Sequence, residues 1–318
     1  MPNRLLLLAL LFGLACGDDD ASTDAAVRDS AMPRPDANGL DASFDAGVDG
    51  DVDEVDASMD AGVDAGPIGS PGCVDGEGLT TGERTFTLDG MERRYLLYVP
   101  SGYTRDRSWP VVFALHGNGG SVSYWNGTSG DRNVRGVFDE NAILVVAEAI
   151  DGNWRDYDMP ADTWPARIEL ELAYFDAIRD ELRAAYCVND DAIFSMGFSG
   201  GGSFSGVLGC RREWIRAIAV GGSVLYFDEE ECVSTPAAWI TIGTMELNSG
   251  REAFRNYFRD AAGCEATGSD VMPEPCIEYD GCDAGTPVHY CQHAGGHVWP
   301  SFGTEAAALF FARLISGT

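Results

Sequence analysis

The 318-residue chain contains no lysine: all 21 of its basic residues are arginines, and 51 acidic residues set the net charge at −30. Such a chain repels a phosphate backbone, so no nucleic-acid partner is expected. Histidine is scarce: His116, His289, His293 and His297 are the four candidates for an imidazole base. No apolar run is long enough to cross a bilayer comfortably, since Leu5 to Ala15 gives about eleven residues. Aromatic residues nearly vanish between 17 and 72, where Phe44 stands alone.

These absences divide the chain into three parts. Residues 1–16, MPNRLLLLALLFGLAC, carry Arg4 ahead of the apolar stretch and read as an export signal peptide. Gly13-Leu14-Ala15-Cys16 is similar to a bacterial lipobox, with Cys16 as the lipidated first residue of a cell-surface protein; secretion after a nearby cleavage is the alternative. Residues 17–72 are built from Asp, Ala and Gly, with near-repeats such as DAGVDG and DAGVDAG, and hold 15 acidic residues against two arginines. That composition buries too little surface to offset its ordering entropy, so a disordered linker is expected, with a reach of about 40 Å. The acidic run DGDVDEVD at 49–56 is not read as a calcium loop, because the central glycine and late glutamate of such a loop are missing. Residues 73–318 are long enough for one large α/β domain. Taking the linker and Arg4 from the total leaves −18 on this part.

Nine cysteines occur, and setting Cys16 aside leaves an even eight: Cys73, Cys187, Cys210, Cys232, Cys264, Cys276, Cys282 and Cys291. In an exported protein this reads as a set of disulfides, and the four between 264 and 291 predict a stapled loop. Spacing alone does not give the connectivity, since eight cysteines allow roughly a hundred pairings.

Within 73–318 the pattern alternates. RTFTLDGMERRYLLYV at 84–99 has two β-rich runs around Asp89-Gly90, a hairpin signal. Buried strands are predicted at 110–117, 142–150, 192–199, 215–222, 237–244 and 288–296, and helices at 166–186, 249–263 and 303–316. A small-residue helix should follow 199 directly. The expected fold class is α/β: a mainly parallel sheet with an antiparallel hairpin at its start and helices on both faces.

Chemistry concentrates at SMGFSGGGSF, residues 195–204. Gly197-Phe198-Ser199-Gly200-Gly201 is G-x-S-x-G between a predicted strand and a predicted helix, the setting in which the motif presents a serine nucleophile. The sharp turn needs small neighbours, and it aims the Gly200 N–H at a developing oxyanion. A serine hydroxyl needs a base. His297, in GGHVWP beyond the last strand, fits the order of a nucleophile-elbow enzyme, with His293 as the fallback. The acid should follow the preceding strand, where ITIGTMELNSG offers Glu246; Asp228 and Asp260 are alternatives. The second oxyanion donor should come from LHGNGGS at 115–121, through the N–H of Asn118, with Gly117 or Gly119 next, and His116 is expected to shape that loop. His289, His293 and His297 are four apart, but Gly295-Gly296 breaks the run, so no metal site is expected.

The segments ALHGNGGS, AAYCVNDDAIFSMGFSGGGSF, TIGTMEL and GGHVWP, in that order, resemble the secreted feruloyl esterase and poly(3-hydroxybutyrate) depolymerase-like families of α/β-hydrolases, over about residues 84–316. The resemblance implies an α/β-hydrolase fold. It also implies Ser199, His297 and Glu246 as a triad and ester hydrolysis without a cofactor. Two positions depart from the family pattern: Gly200 stands where Asn is common, and Glu246 where Asp is common. The extra methylene of Glu246 moves its carboxylate. Members cut feruloyl and acetyl esters on plant polysaccharide and polyhydroxyalkanoates. Trp154, Tyr157, Trp164 and Trp299 are candidates for an aromatic substrate cleft, or equally for loop anchors. The expectation is thus a monomeric, exported serine esterase; a surface-binding protein on a degenerate hydrolase fold is the alternative.

Overall fold

The computed structural model describes residues 69–156 and 159–316. The expected signal peptide, Cys16, nearly all of the expected linker, and Tyr157 lie outside them. The first described residues already belong to the domain. Ser70, assigned to the linker by composition, is buried, donates its hydroxyl to Tyr186 O and accepts from Val188 N.

The expected hairpin is β1 (Gly82–Leu88) and β2 (Met91–Tyr98), closed by Asp89 and Gly90 at φ 50° and 78°. Both signs are positive, as a two-residue turn that matches strand twist requires. Five apolar runs follow as β3 (Trp109–Leu115), β4 (Ile143–Ala147), β5 (Val188–Phe198), β6 (Ala217–Gly221) and β7 (Ala237–Gly243). After them come β8 (Gly268–Val271), β9 (Cys276–Tyr279) and β10 (Val288–His293). The order across the single sheet is β1-β2-β4-β3-β5-β6-β7-β10-β9-β8. The six strands from β4 to β10 in that order run parallel, and an antiparallel pair flanks them on each side. The sheet therefore has a second hairpin at its far edge, which the sequence did not announce. Its strands have four residues each, with β8 mostly exposed and β9 partly buried, so they carry too little periodicity to be recognised.

Among the described residues, six α-helices accompany the sheet: α1 (Gly72–Asp75), α2 (Val134–Phe138), α3 (Trp164–Ala185), α4 (Gly200–Arg211), α5 (Ser249–Ala261) and α6 (Gly303–Ser316). Alternation along the strands feeds two cores. Val111, Phe113 and Leu115 of β3 join Leu172 and Phe175 of α3, Phe204 of α4 and Phe254 of α5 on one face. Val112 and Ala114 join Phe138 of α2 and Phe310 and Phe311 of α6 on the other. Helices thus cover both faces, as a buried parallel sheet requires.

All eight cysteines of the domain are paired: Cys73–Cys187, Cys210–Cys232, Cys264–Cys282 and Cys276–Cys291. Cys264–Cys282 closes the base of the β8–β9 hairpin and Cys276–Cys291 ties β9 to β10, where a stapled loop was expected. Four bridges mark a protein suited to an oxidising compartment.

The chain leaves β3 for β4 on one side and returns to β5 on the other. Such a reversal opens a crevice outside the carboxyl ends of the strands, where ligands bind in open α/β sheets. The loops after β3 and β5 meet there.

Candidate active site

Ser199 follows β5 directly, with φ 56° and ψ −121°, and caps α4. A non-glycine residue at positive φ is strained, and the surroundings must hold it. Its N–H donates to Gly221 O at 2.7 Å, and its carbonyl accepts from Ser203 N at 2.9 Å. The glycines of the motif have a packing reason. A Cβ on Gly197 would stand 2.5 Å from the Gly201 backbone, and one on Gly201 would overlap the carbonyls of Leu115 and His116. The turn can fold only with these side chains absent.

The structure brings Ser199, His297 and Glu246 together from three separate loops. His297 Nε2 lies 2.8 Å from Ser199 Oγ, and His297 Nδ1 lies 2.5 Å from Glu246 Oε2. Phe198 stands beside the imidazole, with ring centroids 4.6 Å apart. The His297 loop is zipped to the end of β7: Thr244 N donates to His293 O and Met245 N to Gly295 O. A Cβ on Gly243 would overlap the carbonyls of Gly295 and Gly296, which explains glycine at 243. Glu246 Oε1 accepts from Gly243 N at 3.1 Å, so each carboxylate oxygen has a donor.

The Glu246 side chain is 6% exposed and that of His297 is 41% exposed, so the acid is enclosed while the base opens to solvent. Burial pushes the Glu246 carboxyl up. The hydrogen bonds from His297 and Gly243 and the charges of His297 and Arg251 outweigh that effect, and the net shift is downward. Arg251, in the first turn of α5, brings its Nε to 2.9 Å from Glu246 Oε2 and its Nη2 to 3.1 Å from His297 Nδ1. The sequence reading missed it. Its one signal was Asn248, which caps α5 by accepting from Gly250 N and Arg251 N and so fixes the turn that carries the arginine.

The loop after β3 is tightly tied. Gly119 N donates to Gly152 O at 2.8 Å, and Gly120 N to Gly117 O. The N–H groups of Gly119 and Gly120 are therefore engaged within the fold. His116 is buried and neutral in its hydrogen bonding: Nδ1–H donates to Gly117 O, Nε2 accepts from Ala149 N, and burial lowers its pKa. Beneath the loop, buried Glu171 pairs with Arg93 at 2.6 Å and accepts from Ile150 N, locking the 149–154 segment on which Gly119 rests.

The aromatic candidates separate. Trp154 is fully buried, donates to His116 O and stacks on Phe204, so it supports the loop and lines no cleft. Trp299 is buried between Trp125, Phe198 and Trp239 and donates to Thr304 Oγ1; it too is a core residue. Both substrate-binding assignments are corrected for the same reason: each indole is buried in the core and presents no face to a substrate. Trp164 is half-buried and lines a cavity of about 290 Å³ with Arg155, Ile168, Leu225, Tyr226 and Phe227. The Arg155 guanidinium lies 3.8 Å from the Trp164 ring and 3.9 Å from that of Tyr226. Tyr226 OH accepts from Asn118 Nδ2 at 3.1 Å, which links this cavity to the oxyanion loop.

The alternatives also resolve. His293 is buried, with Nδ1 accepting from Gly295 N, and His289 pairs with Glu278 at 3.2 Å. Asp228 caps a short 3-10 turn and Asp260 pairs with Arg259, so neither meets His297. Among the described residues, no group of three His, Cys, Asp or Glu side chains could hold a metal ion.

No protein-family model matches the chain. Feruloyl esterase D of Neurospora crassa is 27% identical over 253 residues, covering 72% of this chain and 82% of that protein. Feruloyl esterase C of Emericella nidulans is 27% identical over 266 residues, covering 76% and 90%. A carboxylesterase of Bacillus cereus superimposes with a TM-score of 0.51 at 13% identity, covering 69% of this chain and 93% of that one. The fold is that of the α/β-hydrolases. With its esterase relatives, the chain is a carboxylic ester hydrolase.

Proposed function

We propose that the protein is an exported serine esterase that uses Ser199, His297 and Glu246 to cut feruloyl or related acyl esters on plant polysaccharide, or polyester linkages of the polyhydroxyalkanoate type. The carrying observation is the line from Ser199 Oγ through His297 to Glu246, with contacts of 2.8 and 2.5 Å, on an elbow at positive φ. His297 Nε2 takes the Ser199 proton as Oγ attacks the ester carbon. The N–H groups of Gly200 and Asn118 hold the oxyanion, and the α4 N-terminus adds its favourable dipole. The tetrahedral intermediate collapses, the C–O bond breaks, and the alcohol leaves with the proton from His297. Water then repeats the sequence on the acyl-enzyme: it gives a proton to His297, and Ser199 leaves with that proton. Glu246 orients the imidazole and balances its charge. No step needs a cofactor.

Feruloyl esters are the first substrates to try, because the named relatives are feruloyl esterases and Trp164 offers an aromatic wall beside the oxyanion loop. Export of a monomer, with a lipid on Cys16 and no nucleic-acid partner, completes the reading; the four disulfides support the oxidising destination. The test uses the full chain made in an oxidising compartment, assayed on methyl ferulate, acetylated xylan and a 3-hydroxybutyrate oligomer beside Ser199→Ala. Activity on one ester should fall by a factor on the order of a thousand or more in the variant. A Ser199→Ala protein that keeps its activity overturns the mechanism. A wild-type protein inert to a fluorophosphonate probe would instead favour a binding protein.

A further inference from the structure

We propose that Arg251 is a positioning residue of the triad: it fixes Glu246 Oε2 and sets a permanent positive charge beside the His297 imidazole. The inference rests on the triad reading above. Its starting point is the crowding at one carboxylate oxygen. Glu246 Oε2 receives both His297 Nδ1, at 2.5 Å, and Arg251 Nε, at 2.9 Å. The arginine contact is a close ion pair that is not aligned as a hydrogen bond. Arg251 Nη2 also faces His297 Nδ1 at 3.1 Å. For Nε2 to accept the serine proton, Nδ1 must carry the ring hydrogen and give it to Glu246. Arg251 then stands as a cation beside the imidazole with no hydrogen to receive from it and none it can give.

Two consequences follow. The guanidinium adds a third hold on the Glu246 carboxylate, from the first turn of α5 that Asn248 caps. It also opposes a positive charge on the ring and draws on the anion that would stabilise that charge. The charged or titratable groups around the imidazole are Ser199 from the elbow, Glu246 from the loop after β7 and Arg251 from α5. His293 at the end of β10 faces Glu246, and burial keeps its pKa low. Arg251 is therefore the permanent cation of the group.

The experiment compares pH profiles of kcat and kcat/KM for the full chain, at low ionic strength, in wild type, Arg251→Gln, Arg251→Lys and Ser199→Ala. Arg251→Gln should lower kcat about five- to tenfold with KM little changed, and should move the acid limb up by about half a pH unit or more. Arg251→Lys should restore the acid limb, because it keeps the charge, but recover only part of kcat, because an ammonium lacks the fork. Melting curves show that the variants are folded. A wild-type acid limb in Arg251→Gln, or a loss that Arg251→Lys leaves uncorrected, overturns the proposal and makes Arg251 a cover for the loop. An active Ser199→Ala enzyme would instead remove the triad reading itself.

Discussion

Asn118 lays its side-chain amide over the Cα of Gly200: a Cβ at residue 200 would fall inside van der Waals contact with Oδ1, Cγ and Nδ2. Tyr226 holds the amide there by accepting from Nδ2 at 3.1 Å. Glycine at 200 and asparagine at 118 therefore form one packing unit, and the absent side chain at 200 is the space that Asn118 uses. Gly200→Ala should push Asn118 aside and disturb the loop whose N–H is proposed to hold the oxyanion. An expected loss in kcat of about tenfold to a hundredfold follows, less than for a deleted donor. Adding Asn118→Gly should return part of that loss, since the partners are coupled. Strictly additive losses in the double variant would show that the two residues act apart.

What could be read from the sequence follows the range of the contacts involved. The elbow was legible because its glycines answer to close backbone approaches, Gly197 to Gly201 and Gly201 to Leu115 and His116. The parallel strands were legible because both faces are buried, which writes each as an apolar run. The direction of an indole was not legible. Trp154 reaches the carbonyl of His116, 38 positions away, and no local pattern separates that from a wall of a cleft. Arg251 was hidden likewise, because its closeness to His297 depends on where α5 packs. The second hairpin was hidden because its strands are too short to show alternation.

The low pKa of Glu246 makes a statement about stability. A carboxyl held below its unfolded value stabilises the fold above that value, and the gain disappears as pH falls through the folded value. Glu246→Gln should therefore melt below wild type near neutral pH. The gap should close as pH drops below the ordinary glutamate range and through the lowered folded value. Melting temperatures of both proteins between about pH 3 and 7 give the answer. A gap that is constant across this range would remove ionisation as its cause.

The four bridges should not weigh equally. Cys73–Cys187 spans 114 residues, against 22, 18 and 15 for the others. Loop entropy assigns about 5 kcal/mol to the longest and about 3 kcal/mol to each of the short ones. Replacing Cys73 and Cys187 together by serine should lower the denaturation midpoint more than replacing Cys264 and Cys282. The reverse order would mean that the local staple of the edge hairpin matters more than the long tie between α1 and β5.

The tryptophans offer a discrimination between substrate binding and support. Trp164 lines the cavity beside Tyr226 and is half-buried, whereas Trp154 and Trp299 are enclosed in the two cores. Removing Trp154 or Trp299 should cost about 3–5 kcal/mol of stability and depress turnover of every ester alike, as core truncation does. Removing Trp164 should leave melting nearly unchanged. If an aromatic acyl group stacks there, Trp164→Ala raises KM for methyl ferulate about fivefold, in keeping with roughly 1 kcal/mol for an aromatic pair. An acetyl ester has no ring to lose and should be cut at the same KM. The ratio of the two KM changes is therefore the quantity to measure. A ratio near one would mean that the cavity does not hold the acyl group, and would turn the search for an acyl site to the exposed side of His297.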